Sequence, residues 1–221
     1  MTGFTSADDT WAVVRRQVRL LVLIDSSERA GLTPLSVGRL HTLAFLSNTL
    51  APVWEMPALE GKVLKRKGGP FYPALQQDLD RLVGQGVVIV SNLGHVLDEQ
   101  KRWRLEGTYR LHRTFADHIL ERVAQFEDER RISSFLDELA LAVSALSDDD
   151  LDRASTQDAI YSDPIVDFGN VLDFDEWQHR NAAASAAARL GNSVPGGVRP
   201  NQGEKIHLYV RHLKARLHGG R

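Results

Sequence analysis

The sequence predicts a mainly helical α+β chain, with an N-terminal winged helix-turn-helix domain over residues 1–111 and a helical extension over 112–221. Three observations carry this reading. Apolar residues recur at helical spacing in three successive segments before Gly84. A β-branched run, Val87–Val90, and an alternating segment, Trp103–Leu111, then form a hairpin. Beyond His112 the apolar stripes are again helical.

The first helix rests on Val14, Val18, Leu21 and Val22 in the run VRRQVRLLVLI, which ends at Asp25-Ser26-Ser27. Gly31 and Pro34 interrupt the chain, and Thr33 is the candidate cap of a second helix with Pro34 in its first turn. Leu40, Leu43, Ala44 and Leu46 give that helix its core stripe. Ala51–Pro70, punctuated by proline and glycine, reads as a loop. The third helix begins near Phe71 or Pro73, buries Leu75, Leu79, Leu82 and Val83, and stops at Gly84 and Gly86. Ser91–Arg102 reads as the polar tip of the subsequent hairpin.

In the second half, Phe115, Ile119, Val123 and Phe126 define one helix, and Ile132 to Leu146 a second. The aspartates of Ser147-Asp148-Asp149-Asp150 suit the start of a third. Asp163-Pro164 makes a turn, and Gly169-Asn170 makes another within an apolar-acidic stretch, with Asp173 or Asp175 as a cap for the next helix. Two final helices are expected over Glu176–Leu190 and Gly203–Leu217, separated by a mobile Gly-, Pro- and Asn-rich loop near 191–203.

Composition excludes several classes. The 221 residues contain no cysteine, which removes disulfides, thiolate metal sites and cysteine nucleophiles. There is neither a bilayer-length apolar run nor an N-terminal leader pattern, so a cytoplasmic protein without a membrane partner is expected. Residues 1–111 hold 14 basic against 11 acidic side chains, net +3; the remaining 13 against 18 give −5, matching the overall −2. A polyanion-facing surface therefore belongs to the first half.

Two basic clusters are the candidate DNA contacts: Lys62, Lys65, Arg66 and Lys67 before the third helix, and Lys101, Arg102 and Arg104 on the wing. The third helix argues against base readout. Gln76 or Gln77 has the chemistry to read adenine, but Asp78 and Asp80 would repel phosphates. Contact with protein is thus favoured over contact with DNA.

No catalytic constellation, cofactor or metal site is predicted. Consecutive aspartates at 148–150 diverge, and His207 and His212 lack a zinc spacing. Gly68-Gly69-Pro70 lacks the phosphate-binding lysine context. Asp158, Tyr161, Asp163 and Asp167 form the densest acidic group near an aromatic, read as a structural turn.

Several stretches together resemble the middle component of ABC-three-component systems, which include the Lamassu-type bacterial defence systems. They are Pro34–Leu50 (PLSVGRLHTLAFLSNTL), Leu64–Val90 (LKRKGGPFYPALQQDLDRLVGQGVVIV) and Asp158–Asn181 (DAIYSDPIVDFGNVLDFDEWQHRN). Within them, Arg39-Leu40-His41, Gly69–Pro73, Asp158–Tyr161 and Phe174–Trp177 carry the likeness, and their order covers most of the chain. The resemblance implies a non-enzymatic winged-helix subunit that associates with an SMC-like ABC ATPase and a separate effector, often a nuclease, in anti-phage or anti-plasmid defence. It implies a role in coupling DNA sensing to the effector, with double-stranded DNA as a further partner. Under it, the regions of Tyr72 and Trp177 become candidate partner-binding surfaces. The alternatives are a winged-helix transcription regulator and, behind it, an enzyme using a pocket around Asp158, Tyr161 and Asp163.

Overall fold

The computed structural model describes residues 7–59, 61–97, 101, 103–164, 166–174, 181–193 and 199–219. The chain is mixed α+β, with helices packed around two small antiparallel sheets. Helix α1 (Ala7–Arg29) is followed by a two-residue strand β1 (Leu35–Ser36) and by α2 (Val37–Leu50). A 3-10 turn (Ala51–Trp54) leads to the hairpin β2 (Lys62–Arg66) and β3 (Gly69–Phe71). Then come α3 (Pro73–Gly84) and a long hairpin of β4 (Val88–Leu97) and β5 (Trp103–Leu111). The second half contributes α4 (Arg113–Val123), α5 (Glu127–Val143), α6 (Asp148–Gln157), β6 (Val171–Asp173), α7 (Ala182–Asn192) and α8 (Gln202–Gly219).

Helix α1 is longer than its apolar run, and its two ends differ. Leu20–Ile24 are five consecutive apolar residues and all are buried, because a segment without a polar face must be covered on every side. Helices α3, α4 and α5 and strand β5 supply that cover. Toward the N-terminus, Trp11 and Val14 remain exposed.

Helix α2 is capped by Ser36, whose Oγ accepts from the Arg39 N–H at 3.2 Å, rather than by Thr33. A cis Thr33-Pro34 bond and β1 intervene between the expected cap and the helix. Its last eleven residues, Leu40–Leu50, are all buried, and the polar ones among them find partners within the fold. Ser47 and Thr49 return their hydroxyls to the carbonyls of Ala44 and Leu46. Asn48 accepts from the Leu59 N–H and donates to the Tyr72 hydroxyl.

The segment expected to be a loop before α3 contains the β2–β3 hairpin. Strand β6 pairs with the other edge of β2, giving the sheet order β3-β2-β6, with Val63 opposite Leu172. The other sheet has the order β1-β5-β4, with Leu35 opposite Tyr109. The Ser91–Arg102 region is not all tip: β4 continues to Leu97 through a bulge between Ser91 and Gly94, where Asn92 takes a left-handed φ of 52°.

Helix α6 is capped by the Ser147 side chain, with Asp148, Asp149 and Asp150 in its first turn, as expected from the sequence. Asn181 caps α7, accepting from the Ala184 N–H, and Asp175, one of the two caps expected for a helix starting near Glu176, lies outside the described residues. The expected start of that helix near Glu176 and the centre of the 191–203 loop lie outside the described residues. The boundary at 111/112 falls between β5 and α4, yet one contiguous apolar cluster runs from Leu20 to Leu213 and draws on both halves. Among the described residues, no helix is long and apolar enough to cross a membrane.

Candidate functional site

The basic segment at 62–67 lies on a strand, and a strand alternates its side chains between two faces. Val63 and Lys65 point inward, whereas Lys62 and Arg66 point out. This corrects the DNA-contact expectation for Lys65, which is only 3% exposed. Its ammonium donates to the carbonyls of Asp163 and Val166, each at 2.7 Å. It also lies 5.7 Å from the Tyr161 ring centre and 5.2 Å from that of Phe168. Burial lowers the Lys65 pKa, with Asp163 and Asp167 opposing the shift. The group is a pin that holds the 163–170 loop against β2.

The remaining cations of this cluster face solvent with unequal freedom. Lys62 is paired with Asp173 at 3.4 Å. The Arg66 guanidinium stacks on Phe71, 3.6 Å from the ring centre. Lys67 sits in the hairpin turn, exposed, beside Gly68. Gly69 closes that turn with φ +115°, a conformation L side chains rarely adopt.

The acidic-aromatic group at 158–167 is brought together, and its chemistry is structural. Asp158 is fully buried; one carboxylate oxygen accepts from the N–H groups of Ile160 and Tyr161, and the other from the Tyr209 hydroxyl at 2.6 Å. Burial raises the Asp158 pKa against these donors, and burial beside that carboxylate raises the Tyr209 pKa well above its ordinary value. Tyr161 donates its hydroxyl to the Arg66 carbonyl and accepts from the Arg66 N–H at 3.0 Å, with burial pushing its pKa up to about 12. Its ring meets Phe45 edge-on at 5.4 Å. These bonds join β2, the 158–170 segment and α8.

Tyr72 is likewise a core residue rather than a partner contact. It is wholly buried, its hydroxyl accepts from Asn48 at 2.8 Å, and its N–H donates to His41 Nδ1 at 3.2 Å. His41 in turn engages Gln76 through Nε2 at 3.4 Å, and burial holds its pKa down at about 4. Trp177 lies outside the described residues.

Helix α3 shows Pro73, Gln77, Asp80 and Arg81 to solvent. Asp78, expected on the outer face, points instead toward α1, where Arg16 and Gln17 meet its carboxylate, with Arg81 of α3 itself closing the other side. It is 0% exposed. The outer face of α3 therefore carries one cation and one carboxylate, which cancel.

On the β4–β5 hairpin, Lys101 is exposed, Arg104 pairs with Val96 in the ladder, and Arg102 lies outside the described residues. The hairpin is also more apolar on its surface than its turn-like sequence suggests. Leu93, Val96, Leu97, Trp103 and Leu105 are all exposed. A cleft beside the 3-10 turn, lined by Asn48, Met56, Ala58, Phe174 and Asn181, is mainly apolar. Both of its asparagines are engaged within the fold: Asn48 with Leu59 and Tyr72, and Asn181 with the Thr49 carbonyl and the start of α7. Among the described residues no group of three metal-ligating side chains converges.

No protein-family model matches the sequence, and no curated protein matches it.

Proposed function

We propose that the protein is a non-catalytic accessory subunit built on a winged-helix platform, acting through protein contacts and associating with an SMC-like ABC ATPase and an effector. The winged-helix reading is supported by element order: α1, β1, α2, α3 and the β4–β5 hairpin succeed one another, and β1 pairs with β5. The β2–β3 hairpin is then an insertion between the second and third helices. The ATPase and effector come from the resemblance of Pro34–Leu50, Leu64–Val90 and Asp158–Asn181 to the middle component of ABC-three-component systems.

One observation carries the preference for protein over DNA. The outward face of α3, the element that would enter the major groove, is electrically balanced by Asp80 and Arg81 and offers phosphates no net charge. The buried charged side chains Lys65, Asp78 and Asp158 serve the fold, which favours a subunit over an enzyme. Contact with double-stranded DNA through Lys62, Lys67 and Lys101 is non-specific in this reading.

The test is a pulldown of the tagged protein expressed from its native operon, with mass spectrometry of the proteins that co-purify. Recovery of an SMC-like ATPase is the expected result. Recovery of the protein alone, together with tight, sequence-selective DNA binding of steep salt dependence, would replace this reading with that of a transcription regulator.

A further inference from the structure

The β4–β5 hairpin extends past the core that buries its root. At its root, Val88, Tyr109 and Leu111 are buried on one face of the sheet. The register carries the same face outward along β5 through Gly107 to Leu105 and Trp103, with His95 and Leu97 opposite them on β4. Leu93 joins this face at the bulge: a Cβ at position 107 would meet Val90 at 2.8 Å and Leu93 at 3.2 Å, so both side chains lie across the glycine. Beyond the core, none of the described residues covers this surface. Leu93 is 58% exposed, Leu97 49%, Trp103 70% and Leu105 57%.

We propose that a second copy of this chain covers it, with two wings packed face to face about a twofold axis. Charge favours that occupant. The ten residues of β4 include no Asp, Glu, Lys or Arg, and beyond the buried root His95 is the one titratable side chain among the described residues of the apolar face. Two identical uncharged faces meet without like-charge repulsion and without stripping water from an ion, whereas a polyanion finds no cation there. Area points the same way. Since a large aromatic alone buries 150–250 Å², these four half-exposed side chains amount to roughly 400 Å² per copy. With their flanking main chain, two copies reach about 1,000 Å² in total, the lower bound of a specific interface. Among the described residues the outer edge of β4 is also unpaired, and it lacks the lysines and prolines that usually guard such an edge.

The experiment is light scattering of the full chain during size-exclusion chromatography. Wild-type protein should run at about twice 24.7 kDa. The double variant Trp103→Glu/Leu105→Glu should run as a monomer with an unchanged far-ultraviolet circular dichroism spectrum, since both side chains are exposed. The chain has no cysteine, so Leu105→Cys introduces the sole thiol. Mild oxidation should then produce a covalent dimer, and Arg153→Cys, exposed on α6, should not. A monomeric wild-type chain, a dimer that survives the double substitution, or equal cross-linking from positions 105 and 153 each overturns the proposal. So does a monomer that loses an ATPase partner on the same substitutions, which assigns the face to that partner.

Discussion

The Lys65 ammonium donates to the Val166 carbonyl at 2.7 Å, joining residues 101 positions apart. A second carbonyl, that of Asp163, accepts from the same nitrogen, so one side chain satisfies two backbone groups of the loop. Lys65→Met keeps most of the stem and removes both bonds. It should cost about 2–3 kcal/mol, read as a lower midpoint in urea with an unchanged slope.

Asp158 and Tyr209 form a comparable centre. Asp158→Ala strips the acceptor from two N–H groups and one hydroxyl and should cost about 3 kcal/mol. Asp158→Asn keeps an acceptor for the backbone and no longer buries a charge, so it should stay near wild-type stability at neutral pH. Tyr209→Phe should fall between them, at about 1–2 kcal/mol. Denaturant titrations of the three variants check the ordering.

Acid sensitivity arises from His41. Its folded pKa is about 4, against 6.5 in the unfolded chain. Between those values the unfolded chain binds a proton that the folded chain refuses, so stability falls as pH drops through this window. The full loss is about 3 kcal/mol near pH 4. His41→Gln should be less stable at pH 7 and should flatten the pH 4–6.5 slope of the thermal midpoint.

Non-specific DNA contact is best tested at Lys62 and Lys67, which are exposed, and not at Lys65, whose reversal would unseat the 163–170 loop. Lys62→Gln/Lys67→Gln should lower the salt slope of duplex binding by roughly 2 and cost less than about 1 kcal/mol of stability, from the lost Lys62–Asp173 pair. Fluorescence anisotropy across a salt series measures it.

Gly107→Ala should destabilise by about 1–3 kcal/mol, because its Cβ would overlap Val90. Hydrogen exchange should show the loss concentrated in β4 and β5.

The helical stripes were legible because burial on one face repeats every three to four residues, and Leu75, Leu79 and Leu82 obey that rule. The start of α6 was legible for a similarly local reason: its aspartates sit in the first turn, beside the N–H groups that Ser147 caps. Lys65 was not, since its partners are carbonyls 98 and 101 residues away and carry no side-chain signature. Strand β1 is two residues long and exists only as an addition to β5. The outer half of β4 was hidden by Ser91, Asn92 and Gly94, turn-forming residues that here build a bulge. Asp78 has the charge of a surface residue; Arg16 on α1, 62 residues earlier, draws it in.

The pairing of β2 with β6 has a consequence during synthesis. Lys62 lies opposite Asp173, and 173 − 62 leaves 111 residues to be made before that edge finds its partner. At about 5–20 residues per second the ribosome needs roughly 5–20 s to supply them. Through that interval β2 has at most β3 of its two strand partners, and until residue 163 is made the Lys65 ammonium has neither of its carbonyls. The nascent N-terminal half therefore waits, incompletely closed, for the later part of the chain, and chaperone occupancy of ribosome-bound intermediates should end only after residue 173 has emerged.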